Sequence, residues 1–257
     1  MYNDELDQQK FLGQLNDVHH LIYNNQIYFF SEPIDFHQSI SNTILNLDQD
    51  WKKINSDYVN NRITIIDNFL NLEYAERLQR FMLSTNLRHD IYVDYAAINF
   101  LNSANNFRYP NIWFPILASL TNDCINNMRL LQGTQFLRAW SFIYENFSNG
   151  VSIHADPASV NINFWVTPDH CLESHPGTNG LTIWPIQHPH DWPWEKYNRD
   201  NNEIVRFLNQ HQVIPVSIDY KFNRAVIFDS SFFHQSQPVV TKPGYENRRI
   251  NYTLLYK

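Results

Sequence analysis

Along the first sixty residues, polar and apolar positions follow no sustained period. Order begins near Arg62, where Ile63-Thr64-Ile65-Ile66 reads as a short strand. Asn68 and Asn71 then stand as helix-start candidates before LEYAERLQRFML, whose apolar residues Leu72, Ala75, Leu78 and Met82 recur at helical spacing. A second helix is predicted from Pro115 through ILASLTNDCINNMRLL, since proline suits a first helical turn. After Gly133 the texture changes to short β-branched and aromatic runs separated by turn residues: FLRAWSFIYEN, VSIHA, VNINFWV, LTIWPI, VIPVSI, RAVIF and RINYTLLY. Seven or eight antiparallel strands preceded by helices predict a mainly β, α+β fold with a jelly-roll core, two sheets wound as a double-stranded β-helix. Gly150, Gly177, Gly180 and Gly244 fall in this half, where turns need positive φ, and asparagine is expected at other such positions.

This pattern divides the chain into an extension of unassigned role, residues 1–61, and a jelly-roll domain, residues 62–257. The domain carries a helical flank at 68–132 and an insertion at 186–212, QHPHDWPWEKYNRDNNEIVRFLNQHQ with its borders, too long for a hairpin and expected to act as a lid.

Composition sharpens the picture in three ways. With 43% hydrophobic and 15% aromatic residues among 257, the chain has ample material for a core. A net charge of −7, with no window rich in Lys and Arg, argues against nucleic acid as a partner. Two cysteines, Cys124 and Cys171, form no disulfide framework or metal spacing, the N-terminus is polar and acidic, and no stretch reaches 18 apolar residues. A soluble cytoplasmic protein, not associated with membrane, is the expectation. The sequence carries no signal of oligomeric state.

The candidate chemistry lies in the β-rich half. In VSIHA, His154 and Asp156 form His-x-Asp, and strand alternation sends both side chains to one face. With 11 His and 17 Asp, about 0.7 such tripeptides arise by chance, so the pair needs a third residue to mean anything. RAVIFDSSFFHQS supplies it by placing His234 just after another apolar strand. Two imidazoles and one carboxylate suit Fe(II) in a facial triad whose remaining positions are open to a bidentate co-substrate and dioxygen. Downstream, Arg248 or Arg249 opens the last strand, where an arginine could grip the distal end of a dicarboxylate. Arg249 shares its face with Asn251 and Thr253, whereas Arg248 sides with Ile250, Tyr252 and Leu254, so Arg249 is expected to point inward.

These motifs together resemble the Fe(II)/2-oxoglutarate-dependent oxygenase superfamily, whose hallmark is H-x-D…H followed by Arg or Lys on the last core strand. The likeness covers residues 134–257, and ITIIDNFLNLEYAERLQRFM extends it to about residue 62. Tyr144, ten residues before His154, matches the position from which members of the prolyl-4-hydroxylase-like branch bind 2-oxoglutarate. Gly180-Leu181 with Pro185 resembles that branch's strand-turn signature, and Arg249-Ile250-Asn251 resembles the R-x-N of the nucleic-acid dealkylating branch. That second branch carries a further arginine where this chain has Leu255. The resemblance implies His154, Asp156 and His234 as catalytic metal ligands, Arg249, Tyr144 and Asn251 as co-substrate contacts, and Fe(II), 2-oxoglutarate and O2 as cofactors. It also implies hydroxylation of an amino-acid or peptidyl side chain, or a similar small molecule, coupled to release of succinate. Trp192 and Trp194 in the insertion are the candidate substrate contacts. The reading from another class is a redox-silent, cupin-like isomerase, sensor or partner-binding module that uses the same metal site.

Overall fold

The structure, a computed structural model, describes residues 43–85, 90–91, 94–102, 115–173 and 175–257. In chain order the elements are α1 (Trp51–Asn61), β1 (Ile63–Ile66), α2 (Leu72–Ser84), β2 (Asp90–Ile91), β3 (Tyr95–Asn102), α3 (Pro115–Asn127), β4 (Phe136–Tyr144), β5 (Phe147–Ser148) and β6 (Val160–Trp165). There follow β7 (Leu181–Gln187), α4 (Trp194–Arg199), α5 (Asn201–Gln210), β8 (Val216–Ile218), β9 (Ala225–Asp229), β10 (Phe232–Ser236), β11 (Val239–Val240) and β12 (Ile250–Tyr256). The larger sheet runs β1-β9-β6-β12-β4-β3-β2, antiparallel throughout. The smaller is β10-β7-β8, and β11 pairs with β5 as a separate two-stranded sheet. This is the double-stranded β-helix that the strand spacing predicts.

Alternation along three central strands decides what each face of the larger sheet meets. On the outer face Ile162 and Phe164 of β6, Ile250, Tyr252 and Leu254 of β12, and Ala139 and Ile143 of β4 join one core cluster with Tyr74, Leu78 and Met82 of α2 and Leu117 and Leu120 of α3. Phe164 stacks on Tyr252 with ring centroids 5.3 Å apart, and the Tyr252 hydroxyl donates to the Leu78 carbonyl at 2.9 Å. Each such side chain, removed from water, contributes about 1.5–3 kcal/mol. The helices therefore cover the outer face, and the inner face of β6, β12 and β4 is left to present Asn161 and Asn163, Arg249, Asn251 and Thr253, and Trp140, Phe142 and Tyr144.

Within the extension of unassigned role, residues 43–61 add to the core: Ile44, Leu45, Ile54 and Tyr58 are buried in the main cluster, and Leu45 bridges Leu70. Helix α1 escaped the sequence reading because only Ile54 and Tyr58 among its eleven residues are buried. The flank at 68–132 holds β2 and β3 as well as helices, and both extend the larger sheet. VSIHA is extended but pairs only through a single bridge between His154 and His234. Asparagine does take positive-φ positions, at Asn68, Asn179 and Asn223. Gly180 is needed for a different reason: a Cβ there would meet the Ile218 carbonyl oxygen at 2.0 Å, so only glycine lets β7 approach β8 this closely.

Asp67 fastens the turn after β1 to the loop before β9, accepting from Arg224 Nε at 2.6 Å and Lys221 Nζ at 2.7 Å. The hydrogen bond from Arg224, aided by Lys221, lowers its pKa to about 2. At 36% exposure solvent screens the pairs, and Asp67→Asn should cost about 1 kcal/mol or less at pH 7. A depressed carboxylate pKa stabilises the fold above the unfolded value and loses that contribution on protonation. Urea titrations should therefore show the deficit of the variant shrinking as pH falls from 3.8 towards 2.

Candidate metal centre and cleft

Two strand segments set the centre. His154 and His234 lie directly opposite one another, exchanging backbone hydrogen bonds of 3.0 and 2.8 Å, so their side chains leave from one face. The Asp156 amide donates to the Ser230 carbonyl at 3.0 Å and keeps the same segment alongside β10. The outcome is a cluster whose ligating atoms all lie within 4.8 Å of one another: His154 Nε2 stands 4.0 Å from Asp156 Oδ1, and His234 Nε2 stands 3.6 Å from Asp156 Oδ2.

Each imidazole is oriented by its other nitrogen. His154 Nδ1 donates to the Ser152 carbonyl at 2.7 Å and His234 Nδ1 to the Phe232 carbonyl at 3.0 Å. A carbonyl only accepts, so Nδ1 carries the proton and Nε2 offers its lone pair to the cluster. Burial, with a further push from His234, lowers the His154 pKa to about 4, so this ring is neutral at physiological pH. Burial raises Asp156, but the adjoining imidazoles of His234 and His154 outweigh it, and its pKa lies below the usual value. Asp156 Oδ2 also accepts from Asn161 Nδ2 at 3.0 Å. Two imidazoles and one carboxylate with an open side form the donor set that suits a divalent transition metal.

From this cluster a narrow cleft runs between the sheets, lined by Trp140, Phe142, Tyr144, Asn163, Asn251 and Thr253 among others. Beside it Arg249 is buried at 1% exposure, bonded through Nε to the Asn179 carbonyl at 2.7 Å and through Nη1 to Asn251 Oδ1 at 3.3 Å. Its guanidinium carbon stands 4.9 Å from the Tyr144 ring, 5.6 Å from Trp165 and 5.7 Å from Tyr220. Burial lowers its pKa, opposed by Tyr144 and Tyr220, and raises that of Tyr144. Arg249 makes no ion pair among the described residues. Arg248 turns outward instead, to an ion pair with Glu145 and a stack on Tyr245 at 4.8 Å. The structure thus brings His154, Asp156, His234, Tyr144 and Asn251 into one cleft, with Arg249 against Tyr144 and Asn251.

The insertion does not behave as a lid. Trp192, Tyr197, Ile204, Phe207 and Leu208 pack on Ile153, Ala155 and Phe233, the residues that alternate with His154, Asp156 and His234 and face the opposite way. Trp192 meets Phe207 and Phe233 edge-on, and Trp194 lies at the surface under Arg199. Neither lines the cleft, so their expected substrate contact is withdrawn: their apolar area is spent bracing the back of the smaller sheet. The insertion acts from behind, with the Ala155 amide donating to the Tyr197 carbonyl at 3.0 Å and Asn198 Nδ2 to the Ala155 carbonyl at 2.8 Å. Sequence reasoning missed Asn161, Asn163, Asn179, Trp165, Tyr220 and Ser236. Two of these were detectable, because asparagines at alternate positions of VNINFW mark a polar inward face opposite Ile162 and Phe164.

Fold and cluster together are a double-stranded β-helix whose cleft holds a His-Asp-His cluster that could bind a metal ion. No protein-family model matches the chain, and no characterised protein sequence matches it significantly. Among solved structures it is similar to the non-heme alpha ketoglutarate dependent carbocyclase SnoK from nogalamycin biosynthesis, with TM-score 0.52 and 12% identity over 80% of this chain and 83% of that one. HygX from Streptomyces hygroscopicus, solved with nickel and 2-oxoglutarate bound, matches with TM-score 0.51 and 10% identity over 80% and 86%. A Trichoplax adhaerens prolyl hydroxylase in complex with a hypoxia inducible factor peptide matches with TM-score 0.48 and 15% identity over 80% and 88%.

Acid should reveal the state of His154 in metal-free protein. Its folded pKa of about 4 lies below the ordinary 6.5, so the unfolded chain takes up the proton first. Stability from this group is complete above pH 6.5 and falls by at most about 3 kcal/mol as pH drops towards 4. In urea unfolding, His154→Gln should flatten that part of the profile, and an unchanged slope would place the acid sensitivity elsewhere.

Proposed function

We propose that this protein is an Fe(II)/2-oxoglutarate-dependent dioxygenase that hydroxylates an unactivated C–H of an amino-acid or peptidyl side chain, or of a metabolite of similar size. The observation that carries this reading is a fully buried guanidinium without a carboxylate partner among the described residues, set beside a cleft that contains an open-sided His-Asp-His cluster. A buried cation is costly unless an anion meets it. A dicarboxylate that reached Arg249 from the cluster would supply that anion, which a cupin-like redox-silent site does not require.

The residues fit the cofactors. His154, Asp156 and His234 would hold the metal, and Arg249, with Tyr144 and Asn251 beside it, would hold the distal carboxylate of 2-oxoglutarate. Iron with this co-substrate would supply the oxidising chemistry, consuming dioxygen and releasing succinate and carbon dioxide as C–H becomes C–OH. The chain's own contribution is to fix the imidazoles through Ser152 and Phe232, to keep the carboxylate ionised, and to wall the substrate with Trp140 and Phe142. A carbocyclase and an epimerase are also among the similar structures. Epimerisation needs a group that returns hydrogen to the opposite face, and Tyr144, the phenol lining the cleft, is engaged with Ser236 at 3.2 Å beside Arg249. Hydroxylation asks for no such group. Cys124 and Cys171 are both buried free thiols, in keeping with a reducing, cytoplasmic setting.

Anaerobic addition of Fe(II) and then 2-oxoglutarate should produce a weak visible charge-transfer band, absent in His154→Ala, and turnover should release succinate. Metal binding without the band would favour the redox-silent jelly roll. Arg249→Lys should weaken 2-oxoglutarate binding about tenfold or more while leaving Mn(II) binding unchanged, because an ammonium lacks the bidentate fork. Arg248→Ala should change neither, and the reverse pattern would move the anchor to Arg248.

A further inference from the structure

Asn161 is buried at 1% exposure, lines the cleft beside the His-Asp-His cluster, and donates from Nδ2 to Asp156 Oδ2 at 3.0 Å. A carboxylate only accepts, so this bond fixes which end of the amide is nitrogen. The other end, Oδ1, is buried and has no hydrogen-bond partner among the described residues. Buried amide oxygens are normally paired, and an unpaired one beside a ligand-binding cluster points to a donor that the chain itself does not supply. Strand β6 holds the side chain from behind, since its neighbours Val160 and Ile162 are buried in the main core and Asn161 is paired in register with Leu255 and Phe228.

We propose that Asn161 is a positioning residue of the metal centre. Its Nδ2 holds the Asp156 carboxylate in the rotamer that faces both imidazoles, and its Oδ1 accepts a hydrogen bond from water carried on the ion. Without that bond Asp156 can swing, because its further chain contacts run through the backbone amide and not through the carboxylate, apart from the imidazoles themselves. Partners of this kind, bonded to a ligand but not to the ion, tune metal affinity about 10- to 100-fold when removed. The inference rests on the metal reading above and assigns to a residue outside the triad the task of making the triad a preformed site.

The test is Mn(II) affinity of the full chain by calorimetry, together with the visible spectrum of the Co(II) form, neither of which depends on turnover. Asn161→Ala should bind Mn(II) about 10- to 100-fold more weakly and shift the Co(II) bands. Asn161→Thr, whose hydroxyl can still donate to Asp156 and whose branched side chain suits a strand, should recover most of the affinity. Thermal melting of the metal-free forms separates this from a folding defect, because a merely structural role would lower the melting temperature without the rescue. Unchanged affinity in Asn161→Ala overturns the proposal, and so does equal weakening in the alanine and threonine variants. Wild-type protein that binds no Mn(II) would instead overturn the metal reading itself, and this inference with it.

Discussion

The backbone pairing of His154 with His234 is the constraint on which the site depends. Directly opposed residues in an antiparallel pair project to one face, and these two are opposed through reciprocal hydrogen bonds. A slip of one residue would turn one imidazole to the back of the smaller sheet and bring Ile153 or Phe233 to the cleft. The slip is opposed from behind, where Ile153, Ala155 and Phe233 are locked into a cluster with the helices of the insertion. Packing on one face therefore secures the chemistry on the other, and the insertion serves the site by holding its register.

The larger sheet is arranged in the same way. Its outer face carries the apolar side chains that bury against α2 and α3, and its inner face carries asparagines, a threonine and an arginine. A polar inner face costs stability wherever its groups go unpaired, and Asn161 Oδ1, Asn163 Oδ1 and Trp165 Nε1 are all buried without partners among the described residues. The helical layer offsets this. A fold that buried both faces with apolar residues would have no room for a charged ligand.

How much of this was legible in the sequence follows from which signals are local. Strand alternation separated Arg249 from Arg248 and put His154 and Asp156 together, because two residues on one strand share a face whatever the tertiary arrangement. The helices beginning at Leu72 and Pro115 were legible from their apolar spacing, and so were most of the core strands. The long-range facts were not. Nothing in HPHDWPWEKY says whether its tryptophans cover the mouth of a barrel or the back of a sheet, because both would bury them. Helix α1 has too few buried positions to show a period, and β3 carries Asn99 and Asn102 in a run that lacks the alternation of a half-buried strand. The bond from Asn161 to Asp156 joins residues five apart across a turn, and only coordinates reveal it.

Charge balance along the cleft ties these parts together. Asp156 gives the cluster one negative charge beside two imidazoles, of which His154 is held neutral by burial and by its neighbour. Arg249 gives one positive charge in an environment dry enough to lower its pKa. A divalent ion bound at the cluster would leave the cleft with an excess of positive charge that neither Asp156 nor the chain's overall acidity offsets at that depth, because solvent screening is weak there. A dianion with its two carboxylates at opposite ends meets both cations at once, and a monoanion of the same length leaves one of them uncompensated. On the proposed reading, the burial of Arg249 would therefore favour a dicarboxylate over a monoanion in a metal-loaded cleft.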